Sequence, residues 1–509
     1  MTQEPSVGKV YLVGGGPGDP GLLTLRAAEC LRRADVVLYD YLVNPETLAH
    51  ARPGAELICL GRHGRDRIVP QDEINRQLVE LARQGRRVVR LKGGDPTIFA
   101  HAADEIEALV AAGIPYEIVP GITAAIAAAS YAGIPMTHGE AASAVAFVTG
   151  QEREGKEAPP LDFGPLKNFP GTLVFYMGVT TASHWTTALI LDGKPADTPA
   201  AIVHRCSWPD QQVIHCTLGT VPDEIEKRRL RPPAVVIVGK VVSLGPAINW
   251  FTSRPLFGRT VLVTRPEDQA EDLGSRLVEL GATVIYQPAI AIGPPQDWSA
   301  VDRALAELDR YDWLVFSSAN GVRALLERLH ALGKDVRALG HVKLAAIGSG
   351  TAEALREYHL NADFVPREFR AEALAEGLAD GARGKRFLLA RASRGREVLA
   401  EQLQAAGGEV EQIVVYSSTD VTELEPAVAA ALELNRVDWI TVTSSAIARS
   451  LANLLGDRLA KTRLVSISPV TSDTLRELGL SPAAEAETYT CEGVVEAILR
   501  AEHTSPASV

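Results

Sequence analysis

A glycine-rich turn and an acid near the start of the chain have the types and spacing to hold a nucleotide cofactor. In "KVYLVGGGPGDPGLLTL", Gly16, Gly18 and Gly21 spell G-x-G-x-x-G. The apolar run Val10 to Val13 precedes them and a helix-like stretch, Leu22 to Leu31, follows. Asp40 ends the next apolar run, "ADVVLYD". Strand, glycine turn, helix and a later acid make up the dinucleotide fingerprint, in which the acid would hold a ribose. The other loop residues oppose that reading. Pro17 and Pro20 carry no N–H, and a phosphate cradle is built of N–H groups. Asp19 would repel a pyrophosphate. The turn suits a cofactor without phosphates, preferably cationic, or it is a plain strand-to-helix turn.

Two more loops share the pattern. In "VVRLKGGDPTIFAHAADE", Val88 to Leu91 reads as a strand and Gly93-Gly94-Asp95-Pro96 as the turn at its C-terminal end. Ligands of open α/β sheets sit outside such strand ends. In "YEIVPGITAAIAAASYAGIP", Pro120-Gly121 ends a strand, and small residues follow. Three such loops in one half point to a shared pocket. The other half offers hydroxyls and an amide at strand ends or helix starts: Ser317, Ser318, Asn320, Ser444, Ser445 and Thr471. Together with helix N-terminal N–H groups these bind carboxylates, or they cap helices. Arg265 in "VTRP" adds a fork of donors that fits a carboxylate. The five cysteines form no C-x-x-C, so no metal site is expected, and a reduced, cytoplasmic compartment fits.

The elements that must position these residues alternate between β-branched runs and amphipathic helical runs, which reads as α/β with largely parallel sheets. The chain has 509 residues, enough for more than one domain. A break in character near "SLGPAINWFTSRPLFGRTVLVTRP" places a linker at 251–257, between domains at 8–250 and 258–503. The second domain contains a repeat. "GRTVLVTRP" at 258 resembles "GKRFLLARA" at 384, "DWLVFSSANGV" at 312 resembles "DWITVTSSAIA" at 438, and "KLAAIGSGTAEAL" at 343 resembles "RLVSISPVTSDTL" at 463. Two duplicated lobes with a ligand cleft between them follow. The net charge of −12 argues against nucleic-acid or membrane-surface partners, but a cleft can still be locally basic. The polar start "MTQEPSVGK" does not read as a signal peptide, and no apolar run approaches membrane-helix length.

Taken in order, "VGGGPGDPGLLTLRA", "VVLYDYLV", "VPQDEIN", "VVRLKGGDPTIF", "VPGITAA", "AGIPMTH", "TLVFYMG" and "PPAVVIVGKVV" resemble the uroporphyrinogen-III C-methyltransferases. The resemblance implies a two-lobed α/β tetrapyrrole methylase fold. It also implies S-adenosylmethionine in the cleft and methylation of uroporphyrinogen III to precorrin-2, on the route to sirohaem and cobalamin. Pro17, Gly93, Gly94, Asp95, Ile98, Thr123, Ala124 and Met177 match cofactor contacts. So does Cys206 in "IVHRCSW", where the family has a glycine and a backbone contact would tolerate the change. Asp40 matches the proposed proton acceptor. Arg62 stands where the family has a lysine acid; arginine is a poor acid and would instead clamp a substrate carboxylate. His204 and Arg205 are weaker substrate contacts. Pairing of two copies through this domain is a further expectation.

The second half resembles uroporphyrinogen-III synthase in "VLVTRP", "DWLVFSSANGV", "AAIGSGTAEAL", "EQIVVYSSTD", "DWITVTSS", "SPVTSDTLRELGL" and "TYTCEGVVEAI". That family has a two-lobed duplicated α/β fold and closes hydroxymethylbilane to uroporphyrinogen III without a cofactor. The resemblance implies discontinuous lobes, with the chain crossing near Pro288 and returning near Tyr416. Tyr416 matches the family's candidate acid, and a phenol can donate to a departing hydroxyl. The Ser, Asn and Thr positions named above match turns that contact the substrate's acetate and propionate groups. Together the two resemblances imply a bifunctional enzyme acting on small tetrapyrroles. An NAD-dependent oxidoreductase, or a methyltransferase with a non-catalytic binding module, stands as the alternative. Two domains fill the 509 residues, so oxidation and iron insertion would need another protein.

Overall fold

A computed structural model describes residues 7–61, 69–152, 161–395 and 397–504. The chain divides into two compact units between Gly258 and Arg259. Residues 251–257, expected as a linker, instead belong to the first unit. Phe251 and Leu256 are buried, and Phe251 packs on Tyr131 and Phe257. Aromatic side chains of this size bury more surface in a core than a linker can.

The first unit has two sheets. One contains β1 (Val10–Gly14), β2 (Val36–Tyr39), β3 (Glu56–Cys59), β4 (Val88–Lys92) and β5 (Tyr116–Val119), all parallel, in the order β3-β2-β4-β1-β5. Its central strands are covered on both faces, which explains their continuous apolar runs. Arg90 and Lys92 on β4 are the exceptions and are nonetheless fully buried. The helix after the first turn starts at Leu25 rather than Leu22. Thr24 caps it, accepting from the Ala27 N–H, and Pro20 starts a separate 3-10 turn.

The other sheet contains β6 (Val145–Thr149), β7 (Thr172–Tyr176), β8 (Pro199–His204), β9 (Gln212–Thr217) and β10 (Ala234–Val238), in the order β6-β7-β10-β8-β9. Only β6 and β7 are parallel; β10 runs antiparallel to both β7 and β8, and β8 to β9. The expectation of largely parallel sheets fails here. The connection between β8 and β9 is too short for a helical crossover, so the two strands form a hairpin.

The second unit repeats one sheet plan. Its strands are β11 (Thr260–Val263), β12 (Thr283–Tyr286), β13 (Ile290–Gly293), β14 (Trp313–Phe316), β15 (Lys343–Ala346), β16 (Arg386–Ala392), β17 (Glu409–Asp420), β18 (Trp439–Val442), β19 (Arg463–Ser466) and β20 (Ala484–Glu485). One sheet reads β12-β11-β18-β19-β20 and the other β13-β17-β16-β14-β15. Sequence repeats occupy matching places: β11 and β16, β12 and β17, β18 and β14, β19 and β15. Each lobe therefore combines the strands in the same order, although the chain visits them differently. The chain crosses between β12 and β13 and returns after β17, and these two crossings lie together. Ile290 pairs with Asp420, and the Val421 N–H donates to the Ala289 carbonyl. Gln287, buried at the crossing, accepts from the Glu425 N–H and donates to the carbonyls of Pro288 and Glu423. No helix among the described residues is long and apolar enough to cross a membrane.

Candidate functional sites

Loops of both sheets enclose a cavity of about 440 Å3 in the first unit. Gly16 and Pro17 follow β1, Gly93, Gly94, Asp95 and Ile98 follow β4, and Thr123 and Ala124 follow β5. Met177 follows β7 and Cys206 follows β8. All nine residues expected at the cofactor surround this one cavity.

The loop backbone explains the glycines. The N–H of Gly15 donates to the Lys92 carbonyl at 2.7 Å, and Gly16 and Gly94 exchange N–H···O bonds at 3.2 and 2.7 Å. Gly16 and Gly94 have φ of +76° and +69°. A Cβ on Gly121 would lie 2.2 Å from the Gly94 carbonyl oxygen, and one on Gly14 would lie 2.5 Å from Gly121 Cα. The glycines thus let three backbones touch. With Pro17 lacking an N–H, the Gly15, Gly16 and Asp19 N–H groups are spent on Lys92, Gly94 and Ser207 rather than aimed at a pyrophosphate.

Asp19 also has a structural role. It caps Pro20–Leu22 by accepting from the Gly21 N–H, and its other oxygen accepts from the Tyr131 hydroxyl, 2.7 Å in each case. Asp95 likewise ties loops together, accepting from the Thr97 N–H and hydroxyl and from the Gly121 N–H. Four non-glycine residues at the cavity or beside Cys206 have positive φ: Phe99, Met177, Arg205 and Ser207. Such strain persists only where surrounding structure fixes it, and it gathers at ligand sites. Cys206 is buried, and desolvation pushes its thiol up to about 12.

Asp40 lies at the end of β2, next to Tyr41 and Leu42 of the cavity wall. Its Oδ1 accepts from Arg90 Nη2 at 2.6 Å. Arg62 lies outside the described residues. Arg205 is engaged by Asp210 at 2.7 Å and lies over the Trp208 ring.

A larger cavity, about 1100 Å3, lies between the two lobes of the second unit. Tyr416, Ser317, Ser444, Ser445 and Thr471 line it. The Tyr416 hydroxyl is 3.0 Å from Ser318 Oγ, so Ser318 meets the site through the phenol. Burial pushes the phenol up, which keeps it protonated. Ser318, Ser444 and Ser468 also cap helices, accepting from Gly321, Ile447 and Thr471 N–H groups. Of these capping residues, Ser444 and Ser468 also sit at the cavity wall.

The sequence profile of the tetrapyrrole (corrin/porphyrin) methylases matches residues 9–222, and that of uroporphyrinogen-III synthase HemD matches residues 271–496. The porphyrin biosynthesis protein HemD of Ruminiclostridium josui is 35% identical over 97% of this chain and 98% of that one. The chain belongs to this family, a tetrapyrrole methylase fused to a HemD-type synthase. The uroporphyrinogen-III C-methyltransferase of Bacillus subtilis is 37% identical over 65% of this chain and 68% of that one. The siroheme synthase of Sodalis glossinidius is 49% identical over 49% of this chain; the chain spans about half its length (52%). Among solved structures, a uroporphyrin-III C-methyl transferase from Thermus thermophilus complexed with S-adenyl homocysteine is 41% identical, covering 47% of this chain and 100% of that one, with a TM-score of 0.40.

In the synthase unit two expected substrate residues do not reach the cavity. Arg265 donates to Cys491 Sγ and Gln269 Oε1, and Gln269 Nε2 donates to Asn320 Oδ1 at 2.6 Å. These side chains satisfy one another across the lobes. In their place stand four arginines that the sequence reading passed over, Arg367, Arg370, Arg391 and Arg394, against two glutamates, Glu368 and Glu487. Arg391 is held by Glu397 and Gln412, and Arg394 by Asp420 at 2.5 Å. In the methylase unit the residue missed is Tyr176. Its hydroxyl sits 2.7 Å from Thr123 Oγ1 and accepts from the Ala125 N–H, joining the two sheets across the cavity. Its place beside Met177 in "FYMG" was the available signal.

Proposed function

We propose that the synthase unit closes hydroxymethylbilane to uroporphyrinogen III, and that the methylase unit methylates this product to precorrin-2 with S-adenosylmethionine. The observation that carries the methylase reading is the cavity whose first turn spends its Gly15 and Gly16 N–H groups on the Lys92 and Gly94 carbonyls and then presents Pro17, which has none. It fits a cofactor that brings no pyrophosphate, and it disfavours NAD. Its second-sheet wall, with Met177, Val203, Pro233 and Val235, is apolar enough for an adenine-sized group. Bound there, S-adenosylmethionine supplies an electrophilic methyl on a sulfonium. A pyrrole carbon that gains a methyl must lose a proton elsewhere to restore conjugation. Asp40 takes that proton, with Oδ1 fixed on Arg90.

In the synthase unit the bilane brings carboxylates. The cavity arginines and the helix starts at Ser318, Ser444 and Ser468 hold them. Tyr416 gives its proton to the departing hydroxyl, and Ser318 orients the phenol. Incubating the full chain with hydroxymethylbilane and S-adenosylmethionine, then identifying products, tests both readings. Precorrin-2 is expected. Uroporphyrinogen I alone would remove the synthase reading, and unmethylated uroporphyrinogen III would remove the methylase reading.

A further inference from the structure

Behind Asp40 the methylase unit buries three charged side chains, Arg90, Lys92 and Glu105, in one chain of contacts. Arg90 and Lys92 alternate on β4 and so share a face. Glu105 comes from the helix Ala102–Ala111 and has no exposed surface. Arg90 Nη2 donates to Asp40 Oδ1 at 2.6 Å, and Arg90 Nε donates to Glu105 Oε1 at 2.9 Å. Lys92 Nζ donates to the same Glu105 oxygen at 2.6 Å. Arg90 Nη1 reaches the Leu91 carbonyl, so the guanidinium is held on three sides.

Removing ions from water costs several kcal/mol each, and a hydrophobic set of equal volume is often as stable. The arrangement is also uneven. Glu105 Oε1 takes Arg90, Lys92 and, at 3.5 Å, Gln71 Nε2 from the helix Gln71–Arg83, while Oε2 is buried without a partner among the described residues. A group placed only for stability would satisfy both oxygens. Here the carboxylate is turned so that both cations meet one oxygen. That rotation aims the free end of the Arg90 fork at Asp40.

We infer that Glu105 and Lys92 are positioning residues that act through Arg90 to set the orientation and electrostatic surroundings of Asp40. This rests on Asp40 being the proton acceptor. With two cations and two carboxylates, the set is neutral when all are ionised. Burial, and then the Arg90 cation, pulls the Lys92 ammonium below its usual range. Among the described residues, the charged groups bonded to Glu105 are Arg90 and Lys92 of β4, with Asp40 reached through Arg90; the helix Gln71–Arg83 contributes the uncharged Gln71.

The test is the pH profile of methyl transfer from labelled S-adenosylmethionine to uroporphyrinogen III by the full chain. Glu105→Gln removes a negative charge and should move the acid limb of kcat to lower pH by about one unit. Lys92→Met removes a positive charge and should move it the other way. The double variant restores neutrality and should return the limb close to its original position, with kcat lowered by the loosened fork. A merely structural role would lower activity in all three with the limb unmoved, and that result overturns the inference. If Glu105→Gln does not fold, as judged by circular dichroism, the Lys92→Met and double variants still decide. Asp40→Asn is measured alongside. Retained turnover there would remove Asp40 as acceptor, whereas lost turnover with unmoved limbs in the other variants would remove only the inference about Glu105 and Lys92.

Discussion

In the proposed reactions Asp40 and Tyr416 are opposite kinds of proton handler, and their surroundings differ accordingly. Asp40 is partly exposed and held by a cation; Tyr416 is buried and held by a hydroxyl. Asp40→Asn should lower methyl transfer by about 10²- to 10⁴-fold with little change in cofactor affinity, read by single-turnover kinetics and calorimetry. Tyr416→Phe should cost the synthase about tenfold in kcat, or ~1.4 kcal/mol of barrier, because placement of the bilane survives the loss of the phenol. The buried thiol of Cys206, with its value near 12, stays protonated at pH 8. Iodoacetamide at that pH should label exposed Cys59 well before Cys206, as read by peptide mass spectrometry. At this scale the sequence revealed residues that sit in ordered motifs, such as Gly93 to Ile98. It hid Arg391 and Arg394, which look like surface arginines in "RASRGRE" and come to line a cavity only when two lobes face each other.

Among the elements, the turns after β1, β4 and β5 work as one piece. Their glycines were legible as markers of close approach, but what approaches is first of all another loop. Gly121→Ala should therefore destabilise the methylase unit by about 1–3 kcal/mol or more, seen as a lowered unfolding midpoint, since its Cβ meets a carbonyl that cannot move freely. Gly139→Ala, with open space around it, serves as the control. Alternation of strands and helices was readable from periodicity. The antiparallel half of the second sheet was not, because strand direction depends on how short a connection is, and apolar patterning reports burial alone.

Over the whole molecule, charge is distributed against its sum. A chain of net charge −12 keeps four arginines on the wall of the cavity between its synthase lobes. Added salt should raise KM for the bilane while kcat holds, because screening weakens attraction at a distance more than the buried phenol's chemistry. The repeat was legible as duplicated blocks, and from them two lobes. The clamp made by Gln287 was not, since a single glutamine between strands carries no pattern.

The pairing of Ile290 with Asp420 has an evolutionary and practical consequence. The lobe between them begins and ends at adjacent points, and its main apolar clusters draw only on residues from Ile292 to Tyr416. It has the anatomy of an insert: a self-sufficient module spliced into a host through neighbouring ends. Residues 289–421 expressed alone should unfold cooperatively in urea. The host lobe, whose core joins Leu262 to Val428 and Leu475, should accept a short bridge in the module's place.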